Sequence, residues 1–275
     1  MAQHLVTSSW KLLKKSEMWN LETYKFWYTQ FFFERQSENG TKIMTLKWDK
    51  AGDVDQEELV GQPAFEIPDD ILYPPVCEGL TKCPFTPGDC NFIKGPWISV
   101  FDPDASVQMP IADLMIQEAR ICEQLQHSPH KNIAKYWGCI IEDGRVKGLC
   151  FSRYKESLFD RLDPNLDPAD RRPLNREKCL MEIRNGLAHL HGLRLAHNDV
   201  TARNIMLTED DDTPIFINFD ACLPEGCPLG LKRGIAHQFN RDVTMSSFQN
   251  DEFGLRRIEE NWEDGVLKCR PSEIV

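Results

Sequence analysis

His197-Asn198-Asp199-Val200-Thr201-Ala202-Arg203-Asn204 is a polar octapeptide set between a helical pattern and two short apolar runs. Ahead of it, residues 177 to 191 carry Leu180, Ile183, Leu187 and Leu190 at helical spacing, and Gly192 is placed to end that helix. Behind it, Ile205-Met206-Leu207 and Ile215-Phe216-Ile217 flank an acidic turn, Thr208 to Thr213, which predicts a hairpin. That hairpin leads into Asn218-Phe219-Asp220. Asp199 read by itself would pass for a turn-forming or capping aspartate, but the octapeptide and its flanks argue for a larger role.

Upstream, residues 111 to 125 give the clearest helical pattern of the first half, with Ile111, Leu114, Ile121 and Leu125 on one stripe and Met115 and Cys122 beside it. Glu118 falls inside that stripe, where a carboxylate faces the core and wants a cation. Two short strands are predicted before this helix, Asn91-Phe92-Ile93-Lys94 and, after Gly95-Pro96, Trp97-Ile98-Ser99-Val100-Phe101. After it, Ile133 to Ile141, a turn at Glu142-Asp143-Gly144, and Val146 to Phe151 read as a hairpin. The aromatic run Phe26 to Phe33, a turn at Ser37-Glu38-Asn39-Gly40 and Ile43 to Leu46 predict another hairpin, buried on both faces. Asp49 to Pro87 shows little periodicity and reads as a long irregular connection. A last helix from about Asn250 carries Asp251, Leu255, Ile258 and Trp262 on one face, followed by a short polar tail.

The chain has 275 residues, 41% of them hydrophobic, enough for a real core. Its net charge of -11 repels phosphate backbones and anionic lipid, so neither nucleic acid nor membrane is expected as a partner. No apolar run spans a bilayer or follows Lys11, Lys14 and Lys15 as a signal peptide would, and ten cysteines without one suit a reducing compartment, cytoplasmic or nuclear. Cys77, Cys83 and Cys90 have spacings unlike a zinc ribbon, which argues against a metal site there.

The octapeptide fits the His-x-Asp-Leu-x-x-x-Asn catalytic loop of protein kinases with Val200 for Leu, and Asn218-Phe219-Asp220 stands where they have Asp-Phe-Gly. Pro129-His130-Lys131-Asn132-Ile133 and Asn250-Asp251-Glu252-Phe253-Gly254-Leu255 resemble two further elements of that fold, in the right order. The chain therefore resembles the eukaryotic protein kinase-like superfamily over roughly residues 90 to 262, and especially divergent families numerous in fungi, which have a His-Asn-Asp loop and an Asp-Phe-Asp motif.

That resemblance implies an α+β, bilobal kinase-like fold with a β-rich N-lobe and a shortened helical C-lobe. The expected division is an N-terminal extension over 1–89, whose aromatic hairpin caps the small lobe, an N-lobe over 90–155 and a C-lobe over 156–275, truncated after its central helix. It further implies ATP and Mg2+ as cofactors, a protein substrate or partner of unknown identity, and phosphoryl transfer to Ser or Thr hydroxyls. Asp199 would orient the substrate hydroxyl, Lys94 would contact the phosphates with Glu118 fixing it and Glu123 as the fallback acid, and Asn204 would hold metal. His197, Phe219, Cys122 and Asp251 would be structural, with the histidine packed on Phe219 and Cys122 and anchored through Asp251.

Three departures qualify these expectations. Asn218 puts a neutral amide where a metal-bridging carboxylate belongs, so metal affinity should drop, unless Asp220 substitutes by way of an extended backbone past Phe219. Nothing before Lys94 matches Gly-x-Gly-x-x-Gly, and between Pro214 and Val243 there is no Ser, Thr or Tyr to phosphorylate. These features favour weak or lost transfer and a pseudokinase that works by binding; a small-molecule phosphotransferase is a further alternative.

Overall fold

The computed structural model describes residues 3–20, 25–37, 40–52, 54–85, 91–167, 169–170, 172–263 and 266–267. The predicted turn residues Glu38 and Asn39, Cys90, and the tail beyond 267 lie outside them. The chain forms two compact units: Met1–Pro75 with Gly95–Met115 and Gly144–Lys147, and Val76–Lys94 with Ile116–Asp143 and Gly148–Val275.

The first unit is built on strands β1 (Gln3–Leu5), β2 (Lys11–Asn20), β3 (Lys25–Ser37) and β4 (Gly40–Trp48), helix α1 (Gln56–Leu59), strand β5 (Pro63–Glu66) and helix α2 (Asp69–Leu72). The strands form one sheet in the order β1-β5-β4-β3-β2, with β3 and β4 paired antiparallel as the aromatic hairpin predicts. Alternate residues of a strand point to opposite faces, so the Phe31-Phe32-Phe33 run feeds two cores at once. Phe31 and Phe33 join Trp10, Met44, Leu46 and Leu59 on one face; Phe32 joins Ile43, Ile67, Leu72 and Ile98 on the other. Two expectations are corrected here. The stretch from Asp49 to Pro87 is not wholly irregular, because β5 adds to the sheet against both β4 and β1. Trp97 to Phe101 is no strand: Ile98–Val100 is a 3-10 turn that buries Ile98 and Phe101, three apart, on the same side.

The second unit holds the octapeptide. Its elements are strand β6 (Asn91–Lys94), helix α3 (Ile111–Gln126), which starts in the first unit, strands β7 (Tyr136–Glu142), β8 (Arg145–Ser152) and β9 (Glu156–Ser157), and helices α4 (Leu158–Arg161) and α5 (Arg176–Gly192). Then follow strands β10 (Leu195–Ala196), β11 (Ile205–Leu207), β12 (Pro214–Phe216) and β13 (Leu223–Pro224) and helices α6 (Gly234–Phe239) and α7 (Phe248–Asn261). β8 lies between β6 and β7, and β6 ends with Lys94 opposite Leu149. Asn175 caps α5 by accepting from the Lys178 backbone N–H at 3.0 Å, which fixes where the helix begins. The loop from His197 to Asn204 thus runs from β10 to β11, and β11 and β12 form the predicted hairpin. The fold is of the α+β, protein kinase-like class, with a β-rich part preceding a helical one.

Candidate active site

The loop is held from beneath by one buried carboxylate. Asp251, fully buried in the first turn of α7, accepts from the backbone N–H of His197 at 2.9 Å and of Asn198 at 2.6 Å, and from His191 Nε2 at 2.8 Å. The Asn198 backbone is left-handed (φ 63°), a conformation that asparagine tolerates better than most residues. Its side chain donates to the carbonyls of Ala196 (3.2 Å) and Ala221 (3.0 Å), and its Oδ1 accepts from Asn250 Nδ2 (2.9 Å). Sequence reasoning missed Asn198 and Asn250 as fasteners, since their partners are mostly backbone groups brought close only by folding.

His197 is buried with its ring centroid 5.5 Å from Phe216 and 5.6 Å from Phe219. Its Nδ1 accepts from the Asp199 N–H at 3.3 Å, leaving Nε2 to donate to the Ile217 carbonyl at 3.0 Å. Asp251 meets this histidine through the backbone N–H and not through the ring. Cys122 is buried one turn beyond Glu118 on α3, and burial pushes its thiol well up.

Lys94 and Glu118 meet. Glu118, 3% exposed, takes the lysine ammonium on both oxygens, at 2.8 Å (Oε1) and 2.7 Å (Oε2), and Oε1 also accepts from the Phe219 N–H at 3.0 Å. Burial pushes the Glu118 carboxyl up while the ammonium opposes it. For Lys94 burial works against the charge, yet Glu118 and Asp220 outweigh it and raise its pKa, so the lysine is held as a cation. The fallback acid is engaged elsewhere: Glu123 accepts from the Thr81 N–H (2.8 Å), the Thr81 hydroxyl (2.7 Å) and the Tyr136 hydroxyl (3.1 Å).

Beyond this pair a chain of amides runs to the loop. Asn218, left-handed at φ 64°, accepts from Lys94 Nζ on Oδ1 and donates from Nδ2 to Asn204 Oδ1 at 3.2 Å. Asn204 Nδ2 donates in turn to the Asp199 carboxylate at 2.8 Å and carbonyl at 2.9 Å. The backbone past Asn218 is not extended; Phe219–Ala221 is a 3-10 turn. Asp220 nevertheless reaches the lysine, with Oδ2 3.4 Å from Lys94 Nζ and 3.3 Å from Lys232 Nζ, while its buried Oδ1 has no hydrogen-bond partner among the described residues. Lys232 carries no motif or spacing signal in the sequence.

The donor set has the right element for a hard cation but not the right arrangement. Magnesium asks for free oxygens around one point, typically with one or two carboxylates. Here the Asn218 oxygen is taken by an ammonium and the Asn204 oxygen by an amide N–H, so a cation between them would face hydrogen-bond donors. Asp220 Oδ1 is a buried oxygen with no hydrogen bond among the described residues, where no group of three or more His, Cys, Asp or Glu side chains could hold a metal. As arranged, these residues do not fit a divalent cation.

Burial raises the pKa of Asp199, opposed by His197 and the Asn204 hydrogen bond. A carboxyl raised in the folded state destabilises folding while it is charged, and the cost is relieved as pH falls through the folded pKa toward the ordinary value of about 3.9. Asp199→Asn should therefore raise the melting temperature at pH 7, with the gain over wild type shrinking on titration to about pH 4. A gain that is constant with pH, or a loss at pH 7, would count against this assignment.

A lysine–glutamate pair between a short strand and a helix, and a His-x-Asp loop between a helix and a hairpin, are the marks of a protein kinase-like fold. A family described as protein tyrosine and serine/threonine kinase matches residues 104–217, well under half of the chain and ending just before Asn218. The chain is 31% identical over 125 residues to the human serine/threonine-protein kinase/endoribonuclease IRE2, covering 42% of this chain and 13% of that protein. It is 27% identical over 99 residues to human receptor-interacting serine/threonine-protein kinase 1 (36% and 14%) and 26% identical over 125 residues to the dual specificity protein kinase pyk3 of Dictyostelium discoideum (45% and 8%). The chain thus spans less than a sixth of these relatives' length. Among the described residues, no helix is long and apolar enough to cross a membrane.

Proposed function

We propose that the chain is a protein kinase-like domain that binds a nucleotide beside Lys94 and in which phosphoryl transfer is weak or lost, so that it acts chiefly by binding. The observation that carries this reading is the Asn218 amide, which links Lys94 to Asn204 where a metal-bridging carboxylate belongs. Phosphoryl transfer depends on positioning and on neutralising charge at the phosphates. An amide supplies the first and not the second. Lys94 with Glu118 supports phosphate contact, and Asp199, oriented by Asn204, supports holding a Ser or Thr hydroxyl should any transfer remain. ATP as the nucleotide, the cytoplasmic or nuclear setting and the nearer affiliation with divergent fungal kinase-like families, based on Asn198 and Asp220, belong to the same reading.

The test is a transfer assay with γ-labelled ATP, magnesium and a generic protein acceptor, comparing wild type with Asp199→Asn. Both should stay at or near background. A magnesium-dependent wild-type rate in the ordinary kinase range of about 1–100 per second, abolished by Asp199→Asn, would establish an enzyme and refute the binding reading.

A further inference from the structure

Lys232 lies within a stretch, Pro214 to Val243, that has no Ser, Thr or Tyr to phosphorylate, yet the segment is packed against the loop. Two residues on, Gly234 has φ +70°, and a Cβ built there would stand 2.1 Å from the Asn198 carbonyl oxygen, a clash no side chain survives. The segment is pressed onto the backbone next to Asp199, and Lys232 comes with it. Its Nζ is 3.3 Å from Asp220 Oδ2, the same oxygen that lies 3.4 Å from Lys94 Nζ. Both distances exceed the 2.7 Å that Lys94 keeps to Glu118. Lys94 thus already has a close acid, while the Lys232–Asp220 contact is longer and an incoming phosphate oxygen would compete with it. The Lys232 side chain is about a quarter exposed, and an ammonium has three rotatable donors for an incoming phosphate oxygen.

We propose that Lys232 is a phosphate-binding residue that, with Lys94, supplies the positive charge a divalent cation would otherwise bring, so that this site takes a nucleoside di- or triphosphate without metal. The inference deepens the nucleotide-binding reading and rests on it. It follows from the disagreement between the donor set and a divalent cation: both amide oxygens are engaged by N–H donors, and the Asp220 carboxylate is attended by two ammonium groups. A nucleoside monophosphate, whose phosphate ends nearer the sugar, should not engage Lys232.

The experiment is calorimetric titration of the full chain with ATP and with AMP in EDTA, for wild type, Lys232→Gln and Lys232→Arg. Each variant's melting temperature without ligand serves as the folding control. Wild type should bind ATP in EDTA, and Lys232→Gln should weaken ATP by about tenfold or more while leaving AMP unchanged. Lys232→Arg should retain most of the ATP affinity, which a purely structural role would not require. Unchanged ATP affinity in Lys232→Gln, or wild-type binding that needs magnesium, overturns the proposal and leaves nucleotide binding standing. No binding of either nucleotide by wild type, with or without magnesium, overturns the nucleotide reading itself.

Discussion

Asp251→Ala should lower the melting temperature by about 5–15 °C, from a loss of roughly 3–5 kcal/mol. The carboxylate is fully buried, and its removal strands two backbone N–H groups, of His197 and Asn198, where water cannot reach them. His191 Nε2 loses its acceptor as well. An unpaired buried donor costs its whole desolvation penalty, which is why this change should exceed any surface substitution. Asp251→Asn keeps one acceptor oxygen and should cost less. A thermal melt in which the alanine variant falls by under about 2 °C would show that the loop is anchored elsewhere.

The second large effect is a gain. Asn218→Asp should make nucleotide binding depend on magnesium, with affinity rising at least about tenfold on adding the metal, the equivalent of ~1.4 kcal/mol. The amide now donates to Asn204 Oδ1 at 3.2 Å. With a carboxylate there, two acceptors face each other across that gap and a cation is wanted between them. The new carboxylate would meet the Lys94 ammonium, which attracts it, and Glu118 and Asp220 nearby, which repel it. A variant indifferent to magnesium would show that the amide is not what excludes the metal.

The parts of this site legible in the sequence are those set by spacing within one element. Glu118 shows as a buried carboxylate because it falls on the apolar stripe of α3, and the octapeptide shows by its own residues between a helix and a hairpin. What fails is what depends on partners distant along the chain. The run Trp97 to Phe101 is apolar enough for a strand, but which of its side chains are buried is decided by the sheet they meet. β5 carries little periodicity and becomes a strand through pairing with β1 and β4. Asp220 arrives beside Lys94 through a turn that the extended reading of Asn218-Phe219-Asp220 does not contain. Lys232 is one lysine among many until Gly234 presses its segment onto the Asn198 carbonyl.

The central claim is that an amide bridge from Lys94 through Asn218 to Asn204 stands in the metal's place. Calorimetric titration of the wild-type chain with ATP, once in EDTA and once in excess magnesium, tests it most directly. The account predicts two superimposable isotherms; an affinity that rises tenfold or more with magnesium would contradict it.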